Sequence, residues 1–367
     1  MTSGHFGSFF LPGPTEVRAE VLAAMLQPMI AHRGAAFEAL FERVQQGLAY
    51  ALRTNRTPYV SSSSATGLME AAIRNSPEGR VLSLVNGAFS ARFADIALSC
   101  GRDVATLDVP WGSVVDPDDV RRRLASDRFA ALTVVHSETS TGALTDIAAM
   151  AAIARDAGAV SLVDSVSGAG GTPLEPDSWQ LDFVLTGSQK AFAVPPGLSF
   201  GVAGAEFSSG AASTPARGRY FDLVEFERYG ALHQTPTTPA LSLIYALDVQ
   251  LAAMRHEGIE ARWERHAAMA VRTHAWVAAL AGEVGVRAGV LAAEGHRSPT
   301  VTAVTLPPSI PGRELVRRVE ERGFVIGEGY GKLRETTVRI GHMGDHTIET
   351  LDACLAACTD ALRSMTG

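Results

Sequence analysis

The sequence predicts an α/β fold, with a large domain on a mainly parallel sheet and a smaller C-terminal domain of the α+β type. Between Pro58 and Leu185, short apolar runs alternate with stretches of helical periodicity, which is typical of βαβ units. Beyond about residue 250 this alternation ends, and helices and single strands follow in a different order. Polar residues that follow the apolar runs are therefore expected at the carboxyl edge of the sheet, where ligands bind in such folds.

Apolar residues at helical spacing over 17–29 and 36–53 predict an amphipathic helix pair near the start of the chain. The alternating region predicts strands at Val81–Val85, Ala130–Val135, Val160–Val163 and Phe183–Leu185. The helices predicted between them lie at Gly67–Ile73, Phe89–Leu98 and Ile147–Asp156.

After the Pro-rich stretch that begins at Pro236, the sequence predicts a long helix to Met254 and then a different arrangement. The elements expected from about residue 250 onward are two helices, a strand at Thr300–Thr305, a helix at Arg313–Glu321, strands near Phe324–Ile326 and Val338–Ile340, and a terminal helix. We therefore predict an N-terminal arm over residues 1–20, a large domain over 21–250 and a small domain over 251–367.

The composition argues against several classes of protein. The chain has 367 residues and a net charge of −7, without a basic run that would suggest nucleic acid. No apolar stretch approaches the ~20 residues that span a bilayer, and no signal peptide is evident. Cys100, Cys354 and Cys358 are too few and too scattered for a disulfide framework or a zinc site, so no metal is predicted. We expect a cytoplasmic enzyme with no nucleic-acid or membrane partner.

Lys190 is the residue around which the candidate chemistry is organised. It follows the apolar run Phe183–Leu185 and the polar turn Thr186–Gln189, which places it just beyond the end of a strand. A partly desolvated lysine at that position can lose its proton and act as an amine nucleophile. The alternative is a solvated lysine in a surface loop.

Three other polar stretches follow predicted strands. Residues 61–67, SSSSATG, precede a helix and suit a phosphate cradle or a serine-rich N-cap. In residues 136–142, the Thr139 hydroxyl can hold a phenolate or carbonyl oxygen, Glu138 is an acid–base group or a structural carboxylate, and His136 fits a core histidine equally well. Asp164 closes an apolar strand, where it caps the following turn or pairs with a protonated ring nitrogen.

A lysine, a buried aspartate and a phosphate cradle on one sheet edge fit one cofactor class, pyridoxal 5′-phosphate. The lysine forms a Schiff base, the aspartate holds the pyridinium proton, and the loop holds the phosphate. Val166, two residues after Asp164, can cover one face of the ring, and Phe89 can stack on the other.

Nine stretches, in one order along nearly the whole chain, resemble the class V aminotransferases of fold type I, most closely the alanine–glyoxylate and serine–pyruvate (or serine–glyoxylate) branch. They are PGPTEV (12–17), HRGAAF (32–37), SATGLMEAA (64–72), VNGAF (85–89), HSETSTG (136–142), VDSVSGAGG (163–171), TGSQKAFAVPPG (186–197), QTPTTPALSLIYAL (234–247) and VRIGHMG (338–344). The resemblance implies a large domain with a mainly parallel, seven-stranded sheet and a smaller C-terminal domain.

The resemblance also implies roles in binding the cofactor. Lys190 is then the Schiff-base lysine and the base that moves the proton, Asp164 pairs with the pyridine nitrogen, and Thr139 hydrogen-bonds the ring oxygen. The phosphate is bound from one subunit by Ser64, Ala65, Thr66 and Gln189. Residues Gln234, Thr237 and Thr238 are expected to reach the phosphate of the neighbouring subunit, which implies a homodimer with shared active sites.

For the substrate, the resemblance implies that Arg339 clamps the α-carboxylate and that the backbone of Gly13 lines the substrate side. The expected reaction is ping-pong transamination from a small L-amino acid, alanine or serine, to a 2-oxo acid, glyoxylate or pyruvate. Only one cationic clamp is evident in the sequence, which favours small donors over aspartate or glutamate. Arg33 and Tyr330 are further candidates to enter the pocket.

Other functions stay open on the sequence alone. A cysteine desulfurase or related lyase on the same fold needs a thiol on a mobile loop, and Gly327–Gly331 contains none. A phosphonate or phosphoserine transaminase needs extra basic residues at the substrate end. A non-catalytic pyridoxal-phosphate or nucleotide-binding protein needs the cradle but not an amine nucleophile, so the pairing of Lys190 with Asp164 argues against it.

Overall fold

The computed structural model describes residues 6–215 and 217–366, so the first five residues of the predicted arm and the last residue of the predicted small domain lie outside the described residues. The strands, in chain order, are β1 (Phe9–Phe10), β2 (Tyr59–Ser61), β3 (Val81–Val85), β4 (Val104–Asp108), β5 (Ala131–Val135), β6 (Ser137–Glu138), β7 (Ala143–Leu144), β8 (Val160–Asp164), β9 (Phe183–Gly187), β10 (Ser199–Ala203), β11 (Gly289–Val290), β12 (Val301–Thr305), β13 (Val325–Glu328) and β14 (Thr337–Gly341). The helices are α1 (Ala19–Ala24), α2 (Ala35–Ala51), α3 (Ala65–Asn75), α4 (Ala88–Ser99), α5 (Pro117–Ser126), α6 (Ile147–Asp156), α7 (Ala205–Ala211), α8 (Leu223–Gly230), α9 (Leu241–Glu257), α10 (Ile259–Val284), α11 (Gly312–Glu320) and α12 (Ile348–Thr366).

The larger sheet has seven strands in the order β2-β10-β9-β8-β5-β3-β4. Strand β10 is antiparallel to both of its neighbours, β2 and β9, while the remaining pairs are parallel. Six strands therefore point the same way, and their carboxyl ends meet at one edge of the sheet. This confirms the predicted α/β fold with a mainly parallel, seven-stranded sheet.

Helices cover both faces of this sheet because its central strands are apolar on both sides. In β9, Val184 packs in one core with α2 and α9, while Phe183 and Leu185 pack in a second core with α3 and α8. Successive side chains of a strand point to opposite faces, so one buried strand serves both cores. The continuous apolar run at this strand is explained by burial on both sides.

A second sheet of five strands has the order β1-β13-β14-β12-β11 and packs against α10, α11 and α12. Its outer strand β1 comes from the N-terminal segment and pairs in parallel with β13 near the other end of the chain. Cys354 and Cys358 are buried in the core between this sheet and α12. These two cysteines are therefore core residues of the smaller sheet region.

The structure contains several elements that were not predicted, and two predicted elements differ in length. Strands β1, β4, β6, β7, β10 and β11 and helices α5, α7 and α8 were not predicted. Most of these strands have only two residues, and β4 is only half buried and has no clear apolar run. The predicted strand at Phe183–Leu185 continues to Gly187, since Thr186 and Gly187 pair with β10 instead of forming a turn. The predicted helix over 17–29 is wrong in length, because α1 ends at Ala24, ahead of Pro28.

The division of the chain at residues 20 and 250 stays a prediction. Residue 250 lies inside α9, and α10 starts two residues after α9 ends. Across the described part of the chain, no helix combines the length and apolarity needed to cross a membrane. In the same residues, no group of three or more histidine, cysteine, aspartate or glutamate side chains is arranged to hold a metal ion.

A buried ion network connects the two sheets behind the carboxyl edge. The Asp345 carboxylate accepts hydrogen bonds from Arg18 at 2.8 Å, Gln250 at 3.0 Å and Arg262 at 2.8 Å. The Arg262 side chain is 1% exposed, and it also pairs with Glu257 at 2.6 Å and donates to the carbonyl oxygen of Ala191 at 2.7 Å. The network therefore joins the N-terminal segment, α9, α10, the loop after β14 and the residue next to Lys190.

We expect Arg262→Ala to lower the free energy of unfolding by about 3–5 kcal/mol, because it removes one partner of a buried ion pair. The matched control is Arg272→Ala, which removes an exposed ion pair with Asp352 and is expected to cost under about 1 kcal/mol. Urea unfolding of the three proteins measures both effects. Equal losses in the two variants would contradict a stabilising role for the buried network.

Candidate active site

Lys190 lies three residues beyond the end of β9 and is 7% exposed. Its Nζ atom donates to the carbonyl oxygen of Pro12 and lies 5.9 Å from the ring centroid of Phe89. Burial, together with the nearby positive charge of Arg339, lowers the pKa of Lys190 to about 7. A substantial fraction of this amine is therefore uncharged near neutral pH and available as a base or nucleophile.

Asp164 is the last residue of β8 and is 2% exposed. Its Oδ1 atom accepts the backbone N–H of Val166 at 2.8 Å, which is the turn-capping contact that the sequence allowed. Burial raises the pKa of Asp164 to about 7. A carboxyl group in this setting favours a ligand that brings a proton donor or a positive charge.

The two residues line one cavity at the carboxyl edge of the larger sheet. Nine of the residues predicted from the sequence line it, namely Ser64, Ala65, Thr66, Phe89, Thr139, Asp164, Val166, Gln189 and Lys190. Met69, Arg92, Ser137 and Ser167 complete the lining and were not predicted. The cavity therefore brings together groups from after β2, β3, β5, β8 and β9, as expected for parallel strands that end at one edge.

The start of α3 forms one wall of this cavity. Ser64 is the N-cap residue, but its side chain makes no capping hydrogen bond, and Ala65 and Thr66 are the first helical residues. Opposite them, the Oε1 atom of Gln189 is buried without a hydrogen-bond partner among the described residues. Free N–H groups at a helix start and the hydroxyls of a serine and a threonine fit an anionic group such as a phosphate, and of the Gln189 amide only the nitrogen can donate to it.

Two predicted substrate residues lie beside the cavity but not in its lining. The Nε atom of Arg339 donates to the carbonyl oxygen of Glu328 at 2.8 Å and its Nη1 to that of Thr139 at 3.3 Å, and burial lowers the pKa of Arg339 to about 10. Gly13 has a φ of 109°, and a Cβ atom there would collide with the Lys190 side chain. Gly13 thus allows the N-terminal segment to cross closely over the lysine.

Arg92 is the charged residue of the cavity that the sequence reasoning missed. It follows Phe89 by three residues on α4, and its Cζ atom lies 4.9 Å from the Phe89 ring centroid. Its Nη2 atom donates to the hydroxyl of Tyr330 at 2.9 Å. The i, i+3 spacing from the predicted stacking ring was the available signal, since such residues share a helix face. Arg92 is therefore a second cationic side chain at the site, in addition to Arg339.

Glu138 and His136 have structural surroundings. The fully buried Glu138 carboxylate accepts hydrogen bonds from the backbone N–H groups of Phe89, Ser90 and Ser140 and from the hydroxyls of Ser90 and Ser140. It thereby caps the start of α4, which carries Phe89. The Nδ1 atom of His136 contacts the Ser165 hydroxyl at 2.9 Å, and burial lowers the pKa of His136 to about 4. These contacts fit the interpretation of Glu138 as a structural carboxylate and of His136 as a core histidine.

The segment that contains Gln234, Thr237 and Thr238 does not line the cavity of its own chain. The Gln234 side chain bonds to Arg33 and Glu38, and Thr237 and Thr238 are exposed. Arg33 also donates to the carbonyl oxygen of Thr235 at 2.7 Å, so it supports this segment and does not enter the cavity. The predicted contact with a neighbouring subunit stays a prediction.

A mainly parallel sheet with a buried lysine and a buried aspartate in one cavity at its carboxyl edge has the arrangement of an enzyme active site. The family model described as aminotransferase class-V matches residues 10–330. The chain belongs to this class V aminotransferase family.

Relatives that are named aminotransferases match this chain along almost its full length. The chain is 35% identical to an uncharacterized aminotransferase of Methanocaldococcus jannaschii, over 97% of this chain and 92% of the relative. It is 31% identical to a serine–glyoxylate aminotransferase of Methylorubrum extorquens and 32% identical to an L-aspartate–glyoxylate aminotransferase of Paracoccus denitrificans, in each case over 92% of this chain and 86% of the relative. A solved alanine–glyoxylate aminotransferase from Nostoc superposes with a TM-score of 0.90 at 30% identity, covering 99% of this chain and 97% of the other. The predicted family, branch and enzyme class are confirmed.

We expect Asp164→Asn to gain stability relative to the wild type as the pH rises from about 4 to about 7. Burial raises the pKa of Asp164 to about 7, so the native wild type keeps a proton in this range that the unfolded chain has lost. The wild type therefore loses stability as pH rises, by at most about 1.4 kcal/mol per pH unit for one group.

Urea unfolding of the ligand-free proteins between pH 4 and pH 7.5 measures this difference. Asp95→Asn, which removes an exposed carboxylate on α4, is the matched control for the loss of one acidic group. Parallel stability curves for the wild type and Asp164→Asn would show that the Asp164 carboxyl is not held in its protonated form.

Proposed function

We propose that this aminotransferase uses pyridoxal 5′-phosphate to move an amino group from a small L-amino acid, alanine or serine, to glyoxylate or pyruvate by a ping-pong mechanism. When bound, this cofactor supplies an aldehyde for the amino group and a ring that accepts electrons from the substrate carbon. The observation that carries the proposal is the placement of Lys190 and Asp164 on one cavity, both buried and both with pKa values shifted to about 7.

The lining of the cavity fits the ring of that cofactor. The proposal assigns Lys190 to its covalent attachment, Asp164 to the ring nitrogen and Thr139 to the ring oxygen. Phe89 and Val166 would cover the two faces of the ring, and both line the cavity. A proton on the ring nitrogen would satisfy the Asp164 carboxylate, which otherwise accepts only the Val166 N–H among the contacts of the described residues.

The phosphate is assigned to Ser64, Ala65 and Thr66 at the start of α3, and to the side-chain amide nitrogen of Gln189, because all four residues line the cavity. Gln234, Thr237 and Thr238 are assigned to the phosphate of a neighbouring subunit, because they lie away from the cavity of their own chain. This assignment makes the enzyme a homodimer with shared sites. The homodimer and a cytoplasmic location stay predictions.

Arg339 is assigned to the α-carboxylate of the substrate, and Gly13 to the backbone that faces it. No aspartate or glutamate among residues 6–215 and 217–366 forms an ion pair with Arg339, so its guanidinium can bind an external carboxylate. The relatives named serine–glyoxylate, alanine–glyoxylate and L-aspartate–glyoxylate aminotransferases support glyoxylate as the acceptor. Because these relatives are named for different amino donors, the amino donor of this enzyme has to be determined by experiment.

The proton transfer of the reaction is assigned to the Nζ atom of Lys190. Its lowered pKa keeps much of the amine uncharged near neutral pH, as a general base must be to take the α-proton. The contact with the Pro12 carbonyl oxygen positions the amine, and burial keeps water from competing with it. The cavity lining contains no cysteine, so a thiol-dependent desulfurase has no nucleophile there.

We expect Lys190→Ala to abolish turnover and to remove the visible absorbance of the lysine-bound cofactor. Lys190 and Lys332 are the only two lysines in the sequence, so Lys332→Ala is a matched control that should keep both properties. Borohydride reduction of the wild-type holoenzyme followed by peptide mapping should place the cofactor on Lys190. A colourless wild-type protein after addition of pyridoxal phosphate, or a label on Lys332 instead, would refute the proposal.

We expect Arg339→Ala to raise the KM for amino acid donors by 100-fold or more, because a charge-assisted hydrogen-bonded pair is lost in a partly buried site. Steady-state kinetics with L-alanine and L-serine measure this change. Arg339→Lys should restore part of the loss, since it keeps the charge but not the planar fork. An unchanged KM in Arg339→Ala would move the carboxylate clamp to another residue.

A further inference from the structure

Two arginines flank one tyrosine beside the reactive lysine. The Cζ atom of Arg339 lies 5.4 Å from the ring centroid of Tyr330, and the Nη2 atom of Arg92 lies 2.9 Å from its hydroxyl oxygen. Tyr330 also packs against Phe89, with ring centroids 5.3 Å apart. The two guanidinium groups thus contact the same aromatic side chain, Arg92 from the cavity lining and Arg339 from beside it.

Arg92 has a ligand-binding setting that most arginines of this chain lack. It lines the cavity that contains Lys190, and within the described residues no aspartate or glutamate pairs with it. By contrast, the buried Arg262 is held by two carboxylates and a carbonyl oxygen. A half-buried guanidinium with one neutral partner keeps most of its five N–H donors free for an anion.

We propose that Arg92 binds the side-chain carboxylate of a dicarboxylic amino donor of the aspartate class, while Arg339 binds the α-carboxylate. This inference rests on the proposed function and extends its donors beyond alanine and serine. The bonds that form and break are those of the proposed transamination, and Arg92 changes only which donor is bound. The Tyr330 hydroxyl holds the guanidinium in place before the donor arrives, which reduces the ordering cost of binding.

A purely structural role for Arg92 makes a different prediction. Its guanidinium stacks on Phe89, and loss of that contact would loosen the ring that is assigned to cover the cofactor. Such a change would weaken the reaction of every donor to a similar extent. Binding of a side-chain carboxylate would instead weaken the dicarboxylic donor selectively, so the two roles separate in a ratio of donors.

The test compares the wild-type holoenzyme with Arg92→Gln and Arg92→Lys. Steady-state kinetics with glyoxylate as acceptor give kcat/KM for L-aspartate and for L-alanine. Calorimetry gives the Kd of the unreactive acids succinate and propionate, which differ in the second carboxylate. Arg322→Gln is the matched control, because it removes the same charge from an exposed position in the other core region.

We expect Arg92→Gln to lower the ratio of kcat/KM for L-aspartate to that for L-alanine by about 100-fold, as for loss of a charged hydrogen-bonded partner. The Kd of succinate should rise by a similar factor relative to that of propionate. Arg92→Lys should recover part of the ratio, and Arg322→Gln should leave it unchanged.

Three results would overturn the inference. Equal losses for both donors in Arg92→Gln would assign Arg92 to support of Phe89. A wild-type enzyme that uses alanine but not aspartate would exclude the dicarboxylic donor and leave the proposed function intact. Succinate that binds no more tightly than propionate to the wild type would exclude a second carboxylate site, even if no donor reacts and the proposed function itself fails.

Discussion

The architecture of the site depends on the ion network that is centred on the Asp345 carboxylate. This carboxylate receives Arg18 from the N-terminal segment, Gln250 from α9 and Arg262 from α10, and Arg262 extends the contact to the carbonyl oxygen next to Lys190. Charges removed from water are costly unless each is paired, so these elements hold one another in a single arrangement. The lysine loop is therefore fixed between the two sheets, with the N-terminal segment crossing over it.

Two buried carboxylates of the site differ in the number of hydrogen bonds that the protein donates to them, and this difference distinguishes a structural role from a ligand-binding one. Glu138 accepts from five donors, and these contacts fix the start of α4 and the position of Phe89. Asp164 accepts one backbone N–H and lines the cavity, and burial raises its pKa to about 7. The first carboxylate is satisfied by the protein, while the second still favours a proton donor from a ligand. Burial, with the nearby positive charge of Arg339, also lowers the pKa of Lys190, so burial is the main cause of the shift in both partners of the proposed chemistry.

Much of the candidate site could be predicted because it lies where apolar runs end. Lys190, Asp164, Thr139 and the start of α3 follow buried strands, and strands that run in parallel place their carboxyl ends together. Strand β10, with the sequence SFGVA, was missed because its serine and glycine interrupt the apolar run, and its antiparallel pairing with β2 and β9 is visible only in the tertiary structure. Arg92 was missed because a helix sequence does not say which face turns toward a ligand. Its partner Tyr330 is 238 residues away, so only packing brings the two together.

The sequence by itself determined the family, the α/β class and the chemical types of the central groups. These features depend on local order: apolar runs, the residues directly after them, and motifs in a fixed succession. Only the tertiary structure decided which charges are paired and which are free. It placed Arg262 in a saturated ion network and Arg92 in the cavity with one neutral partner, although both are arginines on helices. Burial and pairing arise from contacts between segments far apart in the chain, and those contacts determine what a charged side chain is able to bind.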